Sequence, residues 1–205
     1  MRSAVFVTEN PAEQDLFLRC TSRFYPAPTV QNRCTPNLLD IGRVNPQSVW
    51  PDIGTARCRA MADTIGAPTI MIQRSLHVEA LGLGVYFSYD PMLCVDPVRY
   101  VKAVGANNLV TMLNANGDTR ASLVHRVHFV NPATRMATEK ILEVPGHIGH
   151  TGNPETFDIV DTIFRPEDSF MNRIPWDSLQ MRPDPSAAPR VYVFNEIAYN
   201  LPSWM

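Results

Sequence analysis

The chain has 205 residues, of which 45% are hydrophobic, 19% charged and 9% aromatic, a composition that supports a sizeable core and excludes a disordered or fibrous chain. A formal net charge of −2 gives no electrostatic ground for broad binding to nucleic acid or to anionic membranes. No run approaches the roughly 18 apolar residues of a membrane span, and residues 1–10 lack the long apolar segment of a secretory signal. The expectation is therefore one domain over 1–205, without membrane contact, at a cytoplasmic or nuclear address. Cys20, Cys34, Cys58 and Cys94 share no C-x-x-C spacing and read as reduced thiols. Eighteen prolines, well above the average share of about 5%, favour short strands and irregular connections over a helical bundle.

In chain order, Asn10 is a good N-cap and Pro11 suits a first helical position. This predicts a helix from Pro11 towards Phe24, with Phe17, Cys20 and Phe24 on one face and Pro26 and Pro28 beyond its end. A second helix fits residues 56–65, with Gly66 as its stop. Short apolar or β-branched runs at 69–72, 83–88, 109–113 and 122–130 read as strands, and Asn116-Gly117 supplies a turn between the last two. Residues 131–156, rich in Pro, Gly and His, read as a long loop. Residues 157–164 form a further strand, 165–189 a proline-rich connection, and 191–194 a final strand. The class is α+β, helices first and antiparallel strands after.

Gly82-Leu83-Gly84 lacks the third glycine and the following helix of a dinucleotide fingerprint. It reads as a bend, or as a place where backbone approaches a flat ligand. His147-x-x-His150 has metal-ligand spacing but no third ligand nearby, so no metal is expected. His125 and His128, three apart on a strand, face opposite ways. No G-x-S-x-G, H-E-x-x-H or P-loop occurs, and no carboxylate pair stands out.

The segment Gly82-Leu83-Gly84-Val85-Tyr86-Phe87-Ser88 resembles the G-x-G-[IVT]-Y-F-[AS] segment of the poly(ADP-ribose) polymerase-like (PARP-like) ADP-ribosyltransferases. Further likenesses follow in the family's order. They are Glu9-Asn10-Pro11 before a helix, Ile53-Gly54-Thr55 for the family's H-G-[ST], and Asn116-Gly117 followed by Leu123-Val124-His125-Arg126-Val127. Pro145-Gly146-His147 with Thr151-Gly152-Asn153-Pro154, and then Val191-Tyr192-Val193-Phe194, complete the set.

The resemblance implies an ADP-ribosyltransferase-like split antiparallel β core with flanking helices, and a cleft that holds NAD as substrate. Tyr86 would stack on nicotinamide, with Tyr100 or Tyr89 on the other ring face. Ile53, Gly54 and Thr55, or Gly42, would line the carboxamide. The family's catalytic His falls on Ile53, or on Ile41 in the other alignment, and neither can hydrogen-bond through its side chain. Its catalytic Glu falls on Arg190, with Asp161 and Glu196 as substitute acids. The implied function is weak mono-ADP-ribosyl transfer to a protein or nucleic-acid acceptor, or a pseudoenzyme that binds NAD or a partner. Proline content, short strands and low charge support a second reading, a structural β-rich protein such as a viral capsid subunit.

Overall fold

A computed structural model describes residues 4–8, 11–21, 29–32, 46–78, 86–88, 120–150 and 162–205. Its strands are β1 (Val5–Thr8), β2 (Thr29–Asn32), β3 (Thr69–Val78), β4 (Tyr86–Ser88), β5 (Arg120–Asn131), β6 (Met136–His150) and β7 (Thr162–Pro166). The helices are α1 (Pro11–Thr21), α2 (Pro46–Ile65), the single turn α3 (Asp168–Met171) and α4 (Ala188–Tyr199). Among the described residues the strands form one seven-stranded sheet in the order β2-β1-β3-β5-β6-β7, with β4 also on β3. β1 pairs in parallel with both β2 and β3, whereas the β3-β5-β6-β7 pairs are antiparallel.

Local chemistry explains most of these elements. Val5-Phe6-Val7 is a buried β-branched and aromatic run. Pro46 opens α2 at a position whose N–H would have no helical partner anyway. Gly66 closes α2 at φ 72, a left-handed conformation that a side chain disfavours, and its N–H donates to the Ala62 carbonyl. β5 lies between helices on both faces, so residues 121–125 are buried without alternation. The β5–β6 hairpin turns on Asn131, whose side-chain oxygen accepts from the N–H of Ala133 and of Thr134, with Arg135 left-handed at φ 59.

The main core covers one face of the sheet. Phe6 of β1 stacks on Phe17 of α1 at 4.2 Å between ring centroids, and Phe194 of α4 meets both edge-on at 5.5 and 5.3 Å. Ile70, Leu123, Phe129 and Val144 extend that core, and Phe170, Ile174 and Trp176 close it beside α4. On the opposite face α2 lays Cys58 and Ala62 on Met71 and Val130, and Met61 on Val5 and Val7. No helix among the described residues is long and apolar enough to cross a membrane.

Several sequence expectations are corrected here. The core is not a split antiparallel sheet of ADP-ribosyltransferase type but one mixed sheet with helices on both faces. Helices on both faces are equally foreign to a capsid-like jelly roll. Residues 191–194 are helical, because Ala188, Val191, Phe194 and Ala198 repeat on a helical period that overrides the strand preference of Val, Tyr and Phe. Residues 136–150 are not a loop but β6, where exposed Ile141 and Glu143 alternate with buried Leu142 and Val144. Pro145 is tolerated because its carbonyl still accepts from the Glu167 N–H. The second helix starts ten residues before Ala56, and the first ends at Thr21. The expected strand at 109–113 and the Asn116-Gly117 turn lie outside the described residues.

Truncating Phe17 to Ala removes the ring shared by β1 and α4, and we expect a loss of about 3–5 kcal/mol of unfolding free energy by urea titration. A loss under about 1 kcal/mol would show that the three rings do not hold α1 to the sheet.

Candidate functional site

The connections make β1 a switch strand. From β1 the chain crosses through α1 to β2 on one side, then through α2 to β3 on the other. α1 packs on the face that carries Phe194, and α2 on the opposite face. Diverging crossovers of this kind open a crevice at the carboxyl end of the central strand, the usual ligand site of open parallel sheets.

The register locates that crevice. One edge of β3 is occupied throughout by β5. Along its other edge β1 pairs as far as Met71, and β4 begins again at Ser75, running the opposite way. Between them, at residues 72–74, no described strand pairs with that edge of β3. β1 and β4 thus point at each other across a gap of three residues. α1 starts at Pro11, three positions after β1 ends at Thr8. Its N-terminus, the positive end of the helix dipole with N–H groups not spent within the helix, therefore opens at the gap. An anion is the ligand best matched to such an end.

On the α2 face, polar contacts fix this framework at the level of the gap. Thr55 Oγ1 and His128 Nδ1 share a 3.1 Å hydrogen bond. Arg126, in register with Gln73, donates to Glu139 at 2.9 Å, and Glu139 also approaches His128 Nδ1 at 3.6 Å. Burial, seconded by the Arg126 charge, pushes His128 down to about 4, so the imidazole is neutral at pH 7 despite its carboxylate neighbour. Burial pushes the Cys58 thiol up to about 12, against a smaller opposing hydrogen bond from the Met71 backbone. Its Sγ lies 3.6 and 3.7 Å from the carbonyls of Thr69 and His128. The protonated thiol is no nucleophile, and the neutral imidazole brings no charge. They seat α2 on β3 and β5. Among the described residues no three His, Cys, Asp or Glu side chains come together where they could hold a metal ion.

The residues singled out from the sequence fall in separate places. Tyr86 is in β4, in register with His77 near the carboxyl end of β3. Ile53, Gly54 and Thr55 lie inside α2 and not at a strand end. Arg190 is in the first turn of α4. Glu196 lies a turn and a half further along α4 and accepts from Lys140 at 3.0 Å, on the face away from α2. Asp161, Gly42, Ile41, Tyr89 and Tyr100 lie outside the described residues. His147 is exposed on β6, and His125 and His128 do face opposite ways, His128 towards Thr55. The sequence reading missed the β1–α1 junction. Its signal was Val5-Phe6-Val7 directly ahead of Asn10-Pro11, a strand ending where a helix begins.

No protein-family model matches this chain, and no curated protein matches it. Solved structures do. A Ham1 protein from Coxiella burnetii aligns with a TM-score of 0.50 at 13% identity, over 98% of this chain and 100% of its own. The Staphylococcus aureus Ham1 protein aligns at 0.50 and 17%, over 82% and 83%. These two likenesses show the fold. A nucleoside-triphosphatase / dITP/XTP pyrophosphatase from Mycobacterium abscessus aligns at 0.48 and 16%, over 81% and 84%. The chain has a Ham1-like fold. That finding, with the mixed sheet, overturns the ADP-ribosyltransferase reading, and NAD as substrate, ADP-ribosyl transfer and the capsid alternative are withdrawn with it.

The neutral His128 gives the site a pH signature. Its folded value of about 4 lies below the ordinary 6.5, so the unfolded chain binds the extra proton between those values. Stability from this group is full above pH 6.5 and falls by about 3 kcal/mol as the pH drops through 4. Urea titrations at pH 7, 5.5 and 4.5 should show wild type losing more stability than His128→Gln. Parallel losses would refute the buried neutral imidazole.

Proposed function

We propose that this chain, with 1–205 acting as one domain, binds a nucleoside triphosphate at the carboxyl end of β1 and hydrolyses its phosphate chain. The observation that carries this reading is the gap between β1 and β4 at a switch strand, with the N-terminus of α1 opening into it. The crevice suits a nucleotide, and the helix end suits its phosphates. Hydrolysis requires a water to attack phosphorus while negative charge grows on the departing phosphate. Fixed dipoles aimed at that charge are an effective means of lowering the barrier. The described residues contribute the helix dipole and the rigid frame seated by His128 and Cys58. A cytoplasmic or nuclear address suits such a substrate.

The name of the Mycobacterium protein supplies the nucleotides to try first, dITP and XTP. Calorimetry should give binding heat with dITP or XTP and none with NAD, and chromatography should show pyrophosphate and the monophosphate as products. Binding of NAD with no response to any triphosphate would overturn the proposal. Thr8→Glu, which sets a carboxylate at the α1 N-terminus, should weaken triphosphate binding roughly tenfold or more.

A further inference from the structure

We propose that the outer edge of β6, from Ala137 to Glu143, docks an extended segment of a partner protein with alternating basic and apolar residues. β6 runs from Met136 to His150, but β7 pairs only with its residues 146–150. Over the rest of its length, the side of β6 away from β5 meets no strand among the described residues. One bond gives the direction of the backbone groups there. The Pro145 carbonyl accepts from the Glu167 N–H, so it points away from β5. In an antiparallel ladder the N–H and C=O of one residue point the same way, and successive residues alternate. Those of Ala137, Glu139, Ile141 and Glu143 therefore point outwards, and among the described residues they have no backbone partner.

Such an edge is a template for one more strand, and proteins usually blunt it with charge. Here the two charges nearest Ile141 are drawn aside. Lys140 donates to Glu196 of α4 at 3.0 Å, and Glu139 accepts from Arg126 of β5 at 2.9 Å. What the edge presents instead is Ile141, 53% exposed, and the exposed Glu143, which has no cation among the described residues. Ile141 and Glu143 share one face of β6 with Glu139. A strand added outside β6 would set an apolar side chain beside Ile141 and a basic one beside Glu143, both favourable cross-strand pairs. A second copy of this chain fits less well. Pairing β6 with itself about a two-fold axis at Lys140 sets lysine opposite lysine, and an axis at Ile141 sets Glu139 opposite Glu143. The docking stretch stops at Pro145, which has no N–H and whose carbonyl is taken by Glu167. That leaves an edge of about 20 Å, enough for a segment of about seven residues. β5 and β3 lie between this edge and the gap, so the proposal stands apart from the hydrolase reading.

The test is fluorescence anisotropy with a labelled Lys-Thr-Val-Thr-Lys-Thr-Val peptide. Laid antiparallel to β6, its first lysine meets Glu143 and its first valine meets Ile141. Wild type should bind it saturably, and should bind a peptide with glutamate at both lysine positions more weakly. Ile141→Pro removes one outward N–H and spares the ladder to β5, and it should weaken the peptide about tenfold or more. Glu143→Lys should weaken it about threefold or more. Asp177→Lys, at an exposed position off the sheet, should leave it unchanged. Circular dichroism checks the fold of each variant, and Ile141→Lys carries the comparison if Ile141→Pro does not fold. No binding by wild type, or equal binding by wild type and the Ile141 variant, would overturn the proposal. So would sedimentation showing a wild-type dimer that the Ile141 variant dissociates, because a second copy would then hold the edge.

Discussion

Everything at the carboxyl edge of this sheet depends on the packing of three phenylalanines. Phe6 lies on β1, Phe17 on α1 and Phe194 on α4, elements far apart in sequence, and their rings touch pairwise. β1 is only four residues long and has few ladder hydrogen bonds with which to fix its own position. Aromatic burial, in the range of 1.5–3 kcal/mol per large side chain, supplies the missing anchorage. Because the anchored residue of α1 is less than two turns from its start, fixing Phe17 also fixes where the helix N-terminus points.

The opposite face is held differently. There α2 is seated by small and polar contacts: a thiol on two carbonyls, a hydroxyl on an imidazole, and a guanidinium on a carboxylate beside it. A neutral His128 carries little desolvation penalty, whereas the charged form would be expensive in the same place. The aromatic cluster on one face and Met61 of α2 against Val5 and Val7 on the other hold β1 between them.

Much of the local structure was legible in the sequence. Asn10-Pro11 marked α1, Gly66 marked the end of α2, and the apolar runs at 69–72 and 122–130 marked β3 and β5. Where reading failed, two local signals competed. Pro145, Gly146 and Gly149 suppressed the alternation that builds β6, and Val191-Tyr192-Val193-Phe194 displayed strand propensity inside a helical period. The site was less legible, for a topological reason. The gap exists because β1 and β4 meet the same edge of β3, and no short motif encodes a pairing between segments some sixty residues apart. A local heptapeptide likeness around Tyr86 found β4, one border of the gap, and gave it the wrong chemistry. Its fold assignment failed because glycine–aromatic strand segments recur wherever a short strand follows a bend.

The central claim is that ligand enters at the carboxyl end of β1. Hydrogen-exchange mass spectrometry with and without saturating dITP tests it most directly, since it reads every backbone N–H near the gap at once. The account predicts slowed exchange in peptides that cover the β1–α1 junction and residues 72–78 of β3, with the C-terminal half of α4 unchanged. Protection confined to α4 or to the β5–β6 hairpin, with the β1–α1 junction exchanging as in the free protein, would contradict it.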